Sequence, residues 1–242
     1  MFLYGKNQII ERIKANPQSI KKIYLKKSSD FNIIKELAEK NNIQFNIIQA
    51  KDLSQLSQHY NSQGVAAEID DFVYADLDGL LNSKPQNKYT FIVLSHITDT
   101  QNLGVILRTA ACFGEFALII PRHRSVSINE TVLRIACGGE NYVPVVLTAN
   151  IIPALEKLKQ NGYWVSAAVT KNGQDILKSS FTFPLCIVIG SEDKGIRPGV
   201  LACVDFKFSL PMPGQELSLN AAVATSILCY EITRQKQLSK AV

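Results

Sequence analysis

The feature that most constrains the fold is a regular alternation of apolar and helical segments after residue 90. The apolar segments are five to seven residues long, and they carry almost no polar side chains. Continuous apolar strands are typical of a sheet covered on both faces, and helices between strands are typical of parallel connections. We therefore predict an α/β fold with a mostly parallel sheet. Its strands are FIVLS, FALII, VPVVL, YWVSAAV and LCIVIG, and its helices span 103–113, 128–136 and 152–160.

The first 75 residues follow a different pattern, in which short amphipathic helices alternate with short strands. The helical segments are KNQIIERIKANP, FNIIKELAEKNN and KDLSQLSQHY, and the strands are IKKIYLKK, IQFNIIQ and QGVAAEI. The following stretch YADLDGLLNSKPQNKYT breaks the pattern with acids, Asn, Gly and Pro. We predict a small αβ domain over 1–75, a linker over 76–89 and a second domain over 90–242.

Composition excludes several classes of protein. Hydrophobic residues make up 46% and charged residues 19%, as in globular domains, and no apolar run approaches the roughly 18 residues of a membrane span. Charge begins at residue 6, which argues against a signal peptide and predicts a cytoplasmic protein without a membrane partner. No cysteine or histidine spacing fits a zinc site, so we predict no metal and reduced thiols. These residues are Cys112, Cys137, Cys186, Cys203, Cys229, His59, His96 and His123.

The charge is mildly basic and unevenly distributed. The formal net charge is +5, and residues 1–60 hold ten Lys and Arg against five Asp and Glu. A basic surface attracts polyanions such as nucleic acid, but charge alone favours an ordinary solvated surface. The most basic stretch, and so the first candidate for contact with a polyanion, is the strand that carries Lys21, Lys22, Lys26 and Lys27; on its own it is a solvated strand edge.

Three segments of the second domain carry side chains that suggest a site. In open α/β sheets, ligands bind beyond the carboxyl ends of the strands. The first such segment, NLGVILR, places Asn102, Gly104 and Arg108 at the start of a helix, where they could converge on a phosphate. The plain alternative is that Asn102 caps the helix and Arg108 is a surface residue.

The other two segments are a glycine-rich turn and a proline-rich loop. GSEDKG follows a buried strand and places Glu192 between Gly190 and Gly195; it matches neither a Walker sequence nor GxGxxG. LPMPGQELSLN has two prolines and a glycine, and it predicts a helix with Ser218 and Asn220 in its first turn. Taken alone, the turn could be a capped strand end, and Ser218 and Asn220 could be helix caps.

Together, in this order, the three segments resemble the motifs of the SpoU branch of the SPOUT RNA methyltransferases. The match consists of NxGxxxR at 102–108, GxExxG at 190–195 and PMxGxxxSLNxxxA at 211–224. The first 75 residues resemble the L30e-like substrate-binding domain of the TrmH-like and RlmB-like subgroup. The chain departs from the usual family pattern at Thr100, which puts loop stiffness in question, and at Ser62, which puts the particular RNA target in question.

The resemblance implies a fold, a cofactor and a reaction. The fold would be a SPOUT α/β-knot, a deep trefoil knot with a mostly parallel sheet and helices on both faces, preceded by the L30e-like domain. The cofactor would be S-adenosylmethionine and the substrate the ribose 2′-hydroxyl of a guanosine in 23S rRNA, with a homodimer formed through the knotted domain. The implied catalytic residues are Asn102, Arg108, Glu192, Ser218 and Asn220, and the implied cofactor-binding residues are Gly190, Leu210, Met212 and Leu219.

Three functions from different classes remain as hypotheses. The first is the RNA 2′-O-methyltransferase, with a tRNA nucleotide as the alternative target. The second is an RNA-binding relative without catalysis, against which the intact motif side chains argue. The third is a Rossmann-type oxidoreductase, which the missing glycine fingerprint contradicts.

Overall fold

In the computed structural model, the described residues are 1–27, 30–57, 61–82, 89–214 and 217–240. They divide into two compact units, which are residues 1–73 with 128–142, and residues 74–127 with 143–242. His59, residues 83–88 of the predicted linker and positions 215 and 216 of the third motif lie outside the described residues.

The first unit is a four-stranded sheet with helices on both sides. The strand order is β1-β4-β2-β3, and only the β2–β3 pair is parallel. The sequence predicted these elements except β1, which is only three residues long. The elements are β1 (Phe2–Tyr4), α1 (Lys6–Ala15), β2 (Ile20–Lys26), α2 (Asn32–Lys40), β3 (Phe45–Ile48), α3 (Ala50–Ser57) and β4 (Val65–Ile69).

Residues 128–142 belong to the first unit, although the sequence placed them in the second domain. They form α6 (Glu130–Ala136) and a 3₁₀ turn over Gly139–Asn141. The Phe2 amide donates to Glu130 Oε1 over 2.7 Å, and the buried side chains of Arg12 and Glu140 form an ion pair of 3.2 Å. These contacts tie the segment to β1 and α1, which a reading of local periodicity cannot detect.

The second unit contains a seven-stranded sheet in which every neighbouring pair is parallel. The strand order is β7-β6-β5-β10-β8-β11-β9. The strands are β5 (Thr90–Ser95), β6 (Phe116–Pro121), β7 (Val145–Thr148), β8 (Trp164–Ala168), β9 (Gln174–Asp175), β10 (Leu185–Gly190) and β11 (Phe206–Ser209). Its helices are α4 (Leu77–Leu81), α5 (Thr100–Phe113), α7 (Ile151–Gln160), α8 (Pro198–Leu201) and α9 (Ala221–Lys240).

Both faces of this sheet are buried, as the continuous apolar strands predicted. Phe91 and Val93 pack on one face with residues of α7, while Ile92 and Leu94, which alternate with them, are equally inaccessible to solvent. On this second face, α5 and α9 pack against each other, α5 contacts β6 and α9 contacts β10. Each large apolar side chain buried in this way contributes about 1.5–3 kcal/mol, so the sheet is a rigid base for the loops at its edge.

Residues 76–82 differ from the predicted linker. Leu77, Leu80 and Leu81 of α4 pack against the core of the second unit, and Ala75 pairs with Val146 of β7. The leucines of this stretch outweigh its acidic and glycine residues, because their burial is more favourable than leaving them in a solvated linker.

Candidate active site

The predicted motifs follow strands that end at the same edge of the second sheet. β10 lies between β5 and β8, and Gly190 at its end is in register with Ser95 at the end of β5. The loop after β10 therefore starts beside the loop that leads into α5. The proline-containing loop after β11 runs from Leu210 to Asn220, with 215 and 216 outside the description, and reaches α9.

A hydrogen-bond network joins one side chain from each of these segments. The Asn102 amide nitrogen donates to Glu192 Oε1 over 2.8 Å. The Asn220 amide nitrogen donates to the same oxygen over 3.0 Å and to Asn102 Oδ1 over 2.8 Å. The Ala221 backbone nitrogen adds a bond of 2.9 Å to Glu192 Oε1. The structure thus brings together three of the five residues predicted as catalytic.

Asn220 is held in this network by its role at the start of α9. Its Oδ1 accepts from the backbone nitrogens of Ala222 at 2.9 Å and Val223 at 3.3 Å, which is the geometry of a helix cap. Because the oxygen is fixed there, Nδ2 has to point toward Asn102 and Glu192. The prediction that Ser218 and Asn220 lie in the first turn is wrong, because the helix begins at Ala221 and both residues precede it.

Asn102 does not cap α5, so the alternative interpretation of Asn102 as a helix cap is wrong. The cap of α5 is Asp99, whose carboxylate accepts from the Gln101 amide over 2.9 Å, and Asn102 lies buried in the first turn. Arg108 is exposed and lies six residues later, about 120° around the helix from Asn102. The expected convergence of the first motif is therefore partial, since only Asn102 enters the network.

Glu192 remains ionised despite its contacts with the protein. Burial raises its pKa, but hydrogen bonds from the Ala221 amide, its own backbone amide and the Asn102 side chain outweigh this effect and lower the pKa below the ordinary 4.5. All three donors of the network meet one oxygen, Oε1. Such a carboxylate is well suited to fixing loops and poorly suited to accepting a proton.

A cavity of about 510 Å³ opens beside the network. Its walls are largely apolar, with Ile189, Ile196, Phe208 and Leu228 among them. All four residues that the resemblance assigns to the cofactor line it, together with two of the predicted catalytic residues. These six are Gly190, Glu192, Leu210, Met212, Ser218 and Leu219.

The cavity depends on a close backbone approach at Gly190. A Cβ atom there would lie 2.4 Å from the carbonyl carbon of Gly195 and 2.7 Å from the Ile196 nitrogen. Gly195 has φ +60 and donates its amide to the Ser191 carbonyl over 2.9 Å, which closes the turn. Only glycine at 190 leaves room for this turn, and the turn forms one wall of the cavity.

Sequence reasoning missed the loop after β8. Thr170 and Lys171 line the cavity, and so does Lys194 in the turn after β10. The available signal was the KNG turn at 171–173, which follows a parallel strand. A Cβ atom at Gly173 would lie 2.6 Å from the carbonyl carbon of Phe208 and 2.7 Å from the nitrogen of Ser209 in β11, so this loop too requires a glycine.

Across the described ranges, no group of three or more His, Cys, Asp or Glu side chains is placed to hold a metal ion. Burial raises the pKa of the Cys186 thiol well above its ordinary value, and burial raises the pKa of Cys229 to about 12, so both thiols are protonated at neutral pH. Likewise, none of the helices in the described part of the chain is both long and apolar enough to cross a membrane.

The fold and the cavity define an α/β protein with a candidate ligand site at the carboxyl edge of a parallel sheet. The chain belongs to the SpoU rRNA methylase family, whose profile matches residues 89–230, and is thus an RNA methyltransferase. A second profile, for substrate binding by RNA 2′-O ribose methyltransferases, matches residues 2–75.

Relatives of known sequence match nearly the whole chain. The TrmH family tRNA/rRNA methyltransferase YacO of Bacillus subtilis is 33% identical over 97% of this chain and 96% of its own length. A TrmH family tRNA/rRNA methyltransferase of Staphylococcus saprophyticus is 36% identical over 97% of this chain and 95% of its own.

Solved structures confirm the predicted fold class. The SpoU methyltransferase AviRb of Streptomyces viridochromogenes, in complex with the cofactor AdoMet, has a TM-score of 0.80 at 20% identity, covering 98% of this chain and 90% of its own. A structure concerned with 2-OH methylation of C/U34 on tRNA has a TM-score of 0.54 at 28% identity, covering 62% of this chain and 98% of its own.

Proposed function

We propose that this chain transfers the methyl group of S-adenosylmethionine to the ribose 2′-hydroxyl of a guanosine in 23S rRNA. The observation that carries the proposal is the apolar cavity bordered by the Asn102–Glu192–Asn220 network. A largely apolar wall with a few fixed polar groups is the usual character of a cofactor site, and the volume suits a ligand of nucleoside size. We place the enzyme in the cytoplasm, with its RNA substrate.

The cavity fits the cofactor in a specific way. Residues 190–196 line the cavity, and in this glycine-rich turn backbone N–H and C=O groups can approach and recognise an adenine. Leu210, Met212 and Leu219 supply apolar surface from the loop after β11. When bound, S-adenosylmethionine supplies a methyl group activated by a sulfonium charge.

The polar residues at the cavity orient the ribose. Glu192, held by Asn102 and Asn220, fixes the relation between the three loops, so the substrate hydroxyl meets a preorganised site. Ser218 is exposed, lines the cavity and can hydrogen-bond the hydroxyl. The low pKa of Glu192 argues against its use as general base at neutral pH.

Arg108 is proposed as a phosphate clamp. A guanidinium with a pKa above about 12 is a poor base, but it binds phosphate through two parallel hydrogen bonds. Its positive charge beside the target ribose would lower the pKa of the 2′-hydroxyl. Arg108→Lys keeps the positive charge but cannot form the bidentate hydrogen bonds to phosphate, so we expect a marked loss of kcat/KM in a methyl-transfer assay. Near-full activity of this variant contradicts the clamp.

A homodimer is supported by an apolar surface on the two packed helices α5 and α9. Val223, Ile227 and Tyr230 share one face of α9 and are 47%, 42% and 58% exposed, and Val105 of α5 is 38% exposed. Arg108, three residues after Val105, is exposed on the same helix, so a second copy on this surface would lie beside it. Light scattering should report a dimer for the native chain and a monomer for Ile227→Asp.

Ribose-methylation mapping by mass spectrometry tests the target. In rRNA and tRNA from cells that lack this protein, we expect loss of one 2′-O-methylguanosine in 23S rRNA, which returns when the gene is restored. The alternative target is a tRNA nucleotide, because the names of the relatives include tRNA and one structural neighbour concerns tRNA methylation. Loss at a tRNA position alone would overturn the rRNA assignment.

Cofactor choice separates this proposal from an oxidoreductase. S-adenosylmethionine should raise the melting temperature of the protein, and NAD should leave it unchanged. A rise with NAD alone contradicts the proposal.

A further inference from the structure

One face of the first unit's sheet combines aromatic rings with lysines. On β1 and β2, alternate residues point to this face, and they include Phe2, Lys22, Tyr24 and Lys26. The residues that alternate with them, such as Leu3, Ile23 and Leu25, are completely buried on the other face. The two faces therefore differ in character, and only one forms a closed core.

Helix α3 covers only part of the aromatic face. Leu53 of α3, Tyr4 and Ala66 form a buried cluster, and the Tyr4 hydroxyl donates to the Leu56 carbonyl over 3.0 Å. Phe2 and Tyr24 pack against the edge of this cluster and keep part of their surface in solvent. The face thus ends in half-buried rings, which are fixed in position by the cluster behind them.

The rings at this edge are arranged in a regular way. The Phe2 and Tyr4 rings are 6.2 Å apart and nearly parallel, with 13° between their planes. The Lys22 ammonium lies 5.8 Å from the centre of the Tyr24 ring. At this distance the attraction between cation and ring is weak, so another group can replace the lysine over the ring at little cost.

The charges on this face distinguish the lysines from one another. Lys21 lies at the β-bulge of β2, where the regular alternation is interrupted, and its ammonium is 3.4 Å from Asp70 in an exposed ion pair. Lys22 and Lys26 lie on the face itself, on either side of Tyr24 along β2. The opposing charge nearest in register is Glu68, which pairs with Lys22 across the sheet. The ring of Tyr24 is therefore flanked by two lysines. Lys22 has Glu68 opposite it in the ladder, whereas Lys26 has Ile48 of β3 opposite it.

We propose that Tyr24, flanked by Phe2, Lys22 and Lys26, binds an unpaired nucleotide of the RNA substrate. The base stacks on the Tyr24 ring, and the lysines neutralise the adjoining phosphates. Stacking on an aromatic ring suits single-stranded RNA because every base has a π face, while a paired base is not accessible. RNA is the occupant that fits both the cations and the match of residues 2–75 to a substrate-binding profile. This inference rests on the proposed RNA substrate and deepens it.

Binding of a defined RNA by the full chain tests the site. The probes are a single-stranded RNA of about 12 nucleotides with one 2-aminopurine, and the same sequence as a duplex. Tyr24→Leu keeps an apolar side chain over the α3 cluster but removes the π face, so it should fold and bind the single strand about 5–150-fold more weakly. Tyr24→Phe should bind like the native chain. Tyr142→Leu, at an exposed tyrosine of the same unit, is the matched control and should have no effect.

Salt dependence separates the ring from the lysines. Lys26→Gln should reduce the slope of log K against log salt by about 0.7, the contribution of one phosphate contact on a single strand. Tyr24→Leu should leave this slope unchanged. Native affinity for the single strand in Tyr24→Leu, with unchanged 2-aminopurine fluorescence, overturns the proposal, and so does equal binding of the duplex.

The outcome is independent of the catalytic proposal. If the chain methylates ribose and Tyr24→Leu has the native KM for RNA, the nucleotide site is wrong and the proposed function stands. If Tyr24→Leu weakens RNA binding in a chain without methyl-transfer activity, the nucleotide site stands and the proposed function is wrong.

Discussion

The sharpest test of the cofactor site is the substitution Gly190→Ala. Its Cβ would lie 2.4 Å from the carbonyl carbon of Gly195, where ordinary contacts begin at 3.4 Å, so the turn has to move by about 1 Å. The atoms in the way are backbone atoms, which cannot rotate aside. Overpacking of this kind destabilises a protein by about 1–3 kcal/mol. For a chain of this length that corresponds to a fall of about 2–12 °C in melting temperature.

The larger effect should be on binding of S-adenosylmethionine. A displacement of about 1 Å can cost about 100-fold in the rate of a reaction, and we expect a loss of similar size in the affinity for the cofactor. At a ligand concentration of 100 times the native Kd, the native chain gains about 2.7 kcal/mol, and a variant with 100-fold weaker binding gains about 0.4 kcal/mol. The ligand-induced rise in melting temperature should therefore fall from about 5–11 °C to about 1–2 °C.

Gly199→Ala is the matched control for this experiment. Gly199 lies in α8 of the same unit, and a Cβ there would meet only Ile152 Cδ1 at 3.6 Å, an ordinary contact. This variant should keep the native response to the cofactor. If Gly190→Ala responds to S-adenosylmethionine as fully as Gly199→Ala does, the 190–196 turn is not the wall of the cofactor site.

Three further predictions concern polar contacts, two in the second unit and one in the first. Asn220→Asp retains the capping oxygen but replaces the amide donor with a second carboxylate beside Glu192. Methyl transfer should therefore be lost, while the far-UV circular dichroism spectrum stays native. Asn220→Ala should lose methyl transfer and also about 1 kcal/mol of stability, because the helix loses its cap. The pKa of Glu192 is lowered from 4.5 in the folded chain, so its carboxylate stabilises the fold above that pH. The native chain should therefore melt at a higher temperature than Glu192→Gln above pH 4.5, and this difference should vanish as the pH falls through the folded-state pKa of Glu192. Arg12→Met leaves Glu140 buried without its partner and should cost about 3–5 kcal/mol in urea unfolding, much of which the added substitution Glu140→Leu restores.

The sequence predicted the central strands because burial on both faces requires a continuous run of apolar residues. FIVLS and LCIVIG are apolar at every position except their ends, and both are buried strands in the structure. β9 and β11 were missed because strands of two and four residues are too short to show a periodicity. The helix over 77–81 was missed because turn-forming residues surround its leucines. Short elements are determined by contacts with distant residues, which a local pattern does not contain.

The sequence predicted which segments form the candidate site but not how their side chains are arranged. Parallel strands end at one edge, so loops that follow them can meet, but the order β5-β10-β8 places strands together that are far apart in the chain. That order explains why Lys171, after β8, lines the cavity with Lys194, after β10. Asn102 and Arg108 separate for a different reason, because they lie about 120° apart around α5 and the helix buries the first and exposes the second.

Asn220 shows why capping and a place in the site are compatible roles for one residue. Serine or aspartate could accept from the amides of Ala222 and Val223 equally well, since capping requires only an oxygen. Neither has an amide nitrogen that could donate to Glu192 and Asn102 at the same time. Asparagine is the short side chain with both groups on one rigid plane, so fixing the oxygen on the helix fixes the direction of the nitrogen. The start of α9 therefore sets the position of the Glu192 carboxylate, and a change in the helix cap also displaces the side chains of the candidate site.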